Sequence, residues 1–332
     1  MNGYHKILLI GVLAACLVLP GCGQSGKAES FSYPMEERFQ MLASLTSSDD
    51  IRKAETFASD LCVVMDGVPL ADSSVGAKAA GLFSLEDHTV LLERNVFERL
   101  YPASTTKVMT ALVAIRYGNL QEESNLKQKV TIGQESVITE AGASLAHINP
   151  GDVLTMEQLL YGLMLPSGND AGAAIAVHIS GSIEEFAKLM NQQAQEIGAT
   201  GTHFVNPHGL HDEQHYTTAY DLYLIFQEAL KEPLFRKLIS SGSYTAEYTD
   251  ALGQPKSQTW NNSNQFLIGQ QPMPSGLFPL GGKTGTTQAA GSCLIMASRD
   301  KEGREYISVV MKAENRQSLY QDMTNIIQNI VN

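Results

Sequence analysis

The sequence predicts an α+β fold: a five-stranded antiparallel sheet flanked by helices, with a helical subdomain inserted between its early and late strands. Three observations predict it. Short β-branched and apolar runs near residue 80 return only after residue 243. Between them, from about 120 to 240, apolar residues recur three and four apart, the period of a helix face. The chain then closes on an amphipathic stretch, 315–332. Early and late strands separated by helices must share one sheet.

Residues 62–65, 80–85 and 89–93 read as strands, with Glu86, Asp87 and His88 turning between the last two. A helix follows over 104–117, stopped by Gly118 and Asn119. Four more are predicted over 155–164, 171–180, 183–197 and 217–231. Strands return at 243–248, 281–286, 293–298 and 306–312, with Asp300 to Gly303 as the hairpin turn between the last two.

The 332 residues are 43% hydrophobic and 17% charged, ordinary for one large globular domain. A net charge of −12 repels polyanions, which argues against a nucleic acid partner. At the start, His5 and Lys6 precede a 15-residue uncharged run, Ile7 to Gly21. That length suits a signal-peptide core and is too short to span a bilayer comfortably. Leu19, Pro20, Gly21 and Cys22 resemble a bacterial lipoprotein cleavage box, which makes Cys22 the lipidated residue and the membrane a partner through that lipid. The alternative is an ordinary secretory signal with Cys22 incidental. The expected organisation is a signal peptide over 1–21, a lipid-anchored tether over 22–60 with one short helix at 36–45, and a catalytic domain over 61–332.

Three motifs carry the chemistry. In Tyr101-Pro-Ala-Ser-Thr-Thr-Lys107, Ser104 and Lys107 are three residues apart and share one helix face. A serine hydroxyl needs a partner to take its proton, and a lysine does so only when burial or a neighbouring cation lowers its pKa. Alone the pair is weak, because a helix cap with a solvated lysine has the same spelling. Leu165-Pro-Ser-Gly-Asn-Asp170 then lifts Ser167 and Asn169 out of a tight turn between two helices. In Leu280-Gly-Gly-Lys-Thr-Gly-Thr-Thr287, glycines surround Lys283 and Thr284 in a strand, which suits a backbone that something approaches closely.

The ordered trio Ser-x-x-Lys, Ser-x-Asn and Lys-Thr-Gly resembles the penicillin-binding proteins and active-site serine β-lactamases. The stretches 102–112, 203–210, 215–222 and 282–294 narrow the match. They look like the D-alanyl-D-alanine carboxypeptidases among the low-molecular-weight penicillin-binding proteins, over about 79–312. The resemblance implies a β-lactamase/transpeptidase-like fold, peptidoglycan stem peptides as substrates and β-lactams as inhibitors. It implies Ser104 as acylated nucleophile, Lys107 as its base, Ser167 as proton relay and Asn169 as holder of the substrate amide. Lys283 and Thr284 would receive the terminal carboxylate, with Gly285 and Thr286 completing the substrate strand and Arg316 an additional candidate. The N–H groups of Ser104 and Thr286 would form the oxyanion hole. Many relatives of this kind add a β-rich second domain and a C-terminal amphipathic anchor; this chain ends about twenty residues past its last strand, and a lipid on Cys22 would replace that anchor.

No cofactor is implied and no metal is expected. His203, His208, His211 and His215 cluster, but only His211 and His215, flanking Glu213, have zinc-like spacing, and two of the four fall in the family-like loop. Cys62 and Cys293 fall in predicted strands and either pair or stay as buried thiols. A β-lactamase of the same fold and a non-catalytic muropeptide or β-lactam sensor share the motifs. The first needs a deacylating Glu-x-x-Leu-Asn stretch between the second and third motifs, which is absent, and the second needs a signalling segment.

Overall fold

The computed structural model describes residues 60–71 and 73–331. The expectations for the signal peptide, for Cys22 and for the tether with its short helix therefore lie outside the described residues, apart from Asp60.

The chain enters through the hairpin β1 (Ala79–Ser84) and β2 (Thr89–Arg94), then a 3-10 turn, Ala103–Thr106, that runs into α1 (Lys107–Tyr117). Next come α2 (Glu123–Leu126), β3 (Lys129–Thr131), β4 (Val153–Thr155), α3 (Met156–Met164), α4 (Asn169–Ser180) and α5 (Ile183–Ile197). After α6 (Ala219–Leu230) and α7 (Pro233–Ser240), the strands β5 (Ser243–Thr249), β6 (Pro255–Asn261), β7 (Phe278–Thr287), β8 (Gly291–Arg299) and β9 (Glu305–Ala313) lead to α8 (Arg316–Ile327). No described helix is long and apolar enough to cross a membrane.

The main sheet has five antiparallel strands, as the sequence predicts, and their order is β2-β1-β9-β8-β7. It is covered on both faces. Leu294, Met296 and Val310 pack against Leu319, Met323 and Ile326 of α8, while Cys293, Ile295 and Val309 face the larger core of α1 and its neighbours. Successive side chains on a strand point to opposite faces, so two covered faces give the unbroken apolar runs of β8 and β9. Helix α1 is buried from Lys107 to Ile115, which explains why it is apolar nearly all round. It forms the centre of the molecule.

Three expectations are corrected. Residues 62–65 form no strand: the Cys62 N–H donates to the Tyr223 hydroxyl and its carbonyl accepts from Tyr220, so side chains take the place of a ladder. The predicted strand at 243–248 is real but belongs to a second sheet, β3-β4-β5-β6. Its neighbours were illegible because β3 and β4 are three residues long and β6 is mostly polar and exposed. The predicted helix at 104–117 begins at Lys107, with Ser104 in the 3-10 turn before it. The turn at 300–303 is present, with Gly303 at φ 90° and its N–H on the Asp300 carbonyl. Cys62 and Cys293 are both free, buried thiols.

Candidate active site

Ser104 is the second residue of the 3-10 turn. Residues three apart eclipse one another in such a turn, and Lys107 Nζ lies 3.0 Å from Ser104 Oγ. The turn is held under strain. Ala103 has φ 49°, a left-handed conformation that costs a residue with a Cβ about 1–3 kcal/mol. Two contacts enforce it. Gly209 lies so close that a Cβ there would sit 1.9 Å from the Ala103 carbonyl oxygen. Thr106 Oγ1 donates to that oxygen at 2.8 Å and is itself 2.8 Å from His215 Nε2. The Val205 N–H donates to His215 Nδ1, which assigns the ring proton to Nε2. Burial pulls the His215 imidazole down to about 3, so it stays neutral in that role.

Lys107 is fully buried, with Nζ 2.6 Å from both Asn169 Oδ1 and the His208 carbonyl oxygen. Those two neighbours only accept. A neutral amine has two hydrogens and one lone pair, so donating to both leaves the lone pair for the Ser104 hydroxyl proton. Burial, then the nearby charge of Lys283, holds the Lys107 amine well below its ordinary value, with Asp170 acting in the opposite direction. That combination is what a basic lysine needs.

Ser167 ends the α3–α4 connection at φ 66°, a second strained residue at the site. Its Oγ accepts from Lys283 Nζ at 2.9 Å. Lys283, on β7, is only 1% exposed, and burial lowers its amine to about 7. Its ammonium also donates to the Thr284 carbonyl. Ser104, Lys107 and Asn169 thus form one hydrogen-bonded set and Ser167 with Lys283 a second, the five drawn from three segments far apart in the chain. Thr284 points the other way along the cleft, its Oγ1 2.6 Å from Ser263 Oγ, and Arg316 Nη2 donates to the Ser263 carbonyl. Ser104, Thr284, Thr286 and Arg316 line the same cavity of about 240 Å³. The Ser104 N–H opens the 3-10 turn, where backbone donors have no acceptor within the turn, and Thr286 is exposed beside it on β7.

Gly285 lines the same cavity and packs closely on the nucleophile turn. A Cβ on it would meet the Ser104 nitrogen at 2.8 Å and the Thr105 nitrogen at 2.9 Å, so β7 lies directly against the nucleophile turn. Among the histidines, His208 and His215 are buried structural groups, and no cluster of three metal-ligating side chains exists among the described residues.

A serine on a strained turn beside a fully buried lysine, in a cleft whose far wall is an edge strand, is the arrangement of a serine-type peptidase. The family description D-alanyl-D-alanine carboxypeptidase matches residues 67–315. A D-alanyl-D-alanine carboxypeptidase of Bacillus subtilis is 33% identical over 273 residues, 82% of this chain and 66% of the relative. One from Streptomyces K15 is 32% identical over 80% of this chain and 95% of the relative. The crystal structure of the Streptomyces K15 DD-transpeptidase superposes with a TM-score of 0.71 at 32% identity, covering 78% of this chain and 98% of that one. The chain belongs to the D-alanyl-D-alanine carboxypeptidase family. It spans about two thirds of the Bacillus relative's length and 58% of an Escherichia coli relative's.

Two groups at the site, Asp170 and Ser263, escaped sequence reasoning. Asp170 accepts from the Ala146, Ile148 and Ala171 N–H groups and so ties the loop near 144 to the Ser-x-Asn turn; the Asn169 N–H donates to the Ser144 carbonyl. Ser263 looks like an ordinary polar residue until the fold delivers it, whereas Asp170 adjoins Asn169 in the sequence. His215, read from the sequence only as one of a histidine cluster, supports the Ser104 turn. The approach of β7 makes a prediction. Gly285→Ala is expected to slow acylation of Ser104 by a fluorescent penicillin about a hundredfold, since a displacement near 1 Å costs that much. The melting transition should stay cooperative. Labelling within threefold of the parent would show that the turn simply gives way.

Proposed function

We propose that this chain removes the terminal D-alanine of peptidoglycan stem pentapeptides through an acyl-enzyme on Ser104. Lys107 takes the Ser104 proton as Oγ attacks the carbonyl between the two D-alanines. The N–H groups of Ser104 and Thr286 receive the oxyanion, and Asn169 holds the substrate amide. The amine of the departing D-alanine collects a proton through Ser167, which Lys283 orients. The leaving residue's carboxylate lies toward Thr284, Ser263 and Arg316, where hydroxyl groups and a guanidinium line the cleft. Water then releases the acyl group by the reverse sequence. The observation that carries this reading is the Lys107 amine, which has two obligatory acceptors and one serine hydroxyl as neighbours.

β-Lactams fit the same route as mimics of the dipeptide. The family's substrates place the protein at the cell wall, outside the cytoplasmic membrane, and export by residues 1–21 with a lipid on Cys22 supplies the anchor in this proposal. The test supplies purified protein with stem pentapeptide and, separately, with a cross-linked dimer. Free D-alanine from the pentapeptide is the expected result, and its absence sinks the reading. Monomer from the dimer, or new cross-links, measures how far the acyl group also passes between peptides, as the name of the Streptomyces DD-transpeptidase describes for that protein.

A further inference from the structure

Ser104 and Thr286 also line a second cavity, of about 400 Å³, to which Arg316 does not contribute. The loop 140–144 walls it on one side, and Leu210, His211 and the end of β7 with Gln288 on the other. Neither lysine nor arginine lines it. Its one carboxylate is that of Glu140, which is exposed and has no ion-pair partner among the described residues. The C-terminal side of its loop is tied down, because Asp170 holds the Ala146 and Ile148 N–H groups and the Ser144 carbonyl takes the Asn169 N–H, and the Ala143 N–H closes a turn on the Glu140 carbonyl.

We propose that Glu140 selects stem peptides whose third residue bears a free, cationic side-chain amine. The inference rests on the carboxypeptidase reading above. With the leaving carboxylate toward Arg316 and the reacting carbonyl at Ser104, the rest of the stem must leave through this second cavity. The third stem residue directly precedes the acylated D-alanine, about 3.4 Å further along an extended chain. Its side chain therefore enters the cavity that Glu140 borders. An amine there gains a carboxylate partner in a cavity that neither lysine nor arginine lines, His211 being its one other titratable side chain. An amine already acylated, as in a cross-linked stem, has no charge to offer. The pair is solvent-exposed, so its worth is modest, up to about fivefold in kcat/KM.

The test compares D-alanine release from Nα-acetyl-L-lysyl-D-alanyl-D-alanine and from its Nε-acetylated twin. The parent protein is expected to favour the free amine about fivefold at low ionic strength. The preference should shrink as salt screens the pair. In Glu140→Gln the ratio of the two kcat/KM values should fall to about one, and in Glu140→Lys it should invert. A ratio of one in the parent, or a ratio that Glu140→Gln leaves unchanged, overturns the inference while the carboxypeptidase reading stands. A substitution that merely loosened the loop would slow both peptides and keep their ratio, which also overturns it. Failure to release D-alanine from either peptide removes the carboxypeptidase reading and this inference with it.

Discussion

Ser104→Ala is expected to lower D-alanine release by about 10⁵- to 10⁶-fold and to abolish covalent labelling by penicillin. The hydroxyl is the atom that forms the ester, and nothing else in the cleft replaces it. Ser167 Oγ is engaged by Lys283, and Lys107 directs its lone pair at Ser104. The fold should survive, because Ser104 is half-buried and gives up one hydrogen bond. Losing one such hydrogen bond costs roughly 0.5–1.5 kcal/mol, small beside the stability of a folded domain. Intact-protein mass spectrometry after penicillin reads the adduct directly, and a thermal melt reads the fold. A stable adduct in the variant would move the nucleophile to another residue.

The second large effect falls on the base. Lys107→Met keeps the length of the side chain and removes the amine, and is expected to slow acylation about 10³- to 10⁴-fold. The pH dependence gives the sharper test. In the parent, acylation should rise with pH as Lys107 loses its proton, at a pH far below that of an ordinary lysine. In Lys107→Met that limb should vanish from whatever rate remains. Lys283 supplies part of the depression, so Lys283→Met should move the limb to higher pH. Stability has its own sign. Lys283 titrates near 7 when folded and near 10.5 when unfolded, so the unfolded chain binds more protons between those values. Its burial therefore costs stability in full below pH 7, and the cost fades as pH rises towards 10.5. A parent whose acylation rate is flat with pH would remove Lys107 as the base.

The five-stranded sheet was legible because its inner strands are buried on both faces and carry long apolar runs, as in Leu294 to Ala297. Helices α5 and α6 were legible for a similar reason, being long and patterned at the helical period. The second sheet was not. Apart from β5 its strands are short or polar: β3 and β4 pair over three residues, β4 meets β5 only at Val153 and Thr249, and β6 is mostly exposed. The segment after Asp60 misled because Val63 and Met65 look like strand residues yet lie exposed, with their neighbour Cys62 bonded to tyrosine hydroxyls.

At the site, the sequence by itself determined the residue types and their local spacing: a serine three before a lysine, a serine two before an asparagine, and a lysine on a glycine-flanked strand. Local spacing is decided by the backbone period, which a short stretch of chain carries within itself. Only the tertiary structure decided what those residues are chemically. Whether Lys107 is a base depends on burial and on Lys283, which lies 176 positions further along the chain. Whether Ser104 is held for attack depends on Gly209, His215 and Gly285 meeting its turn from two other segments. Desolvation and close packing come from groups distant in sequence, so they exist only once the chain has folded.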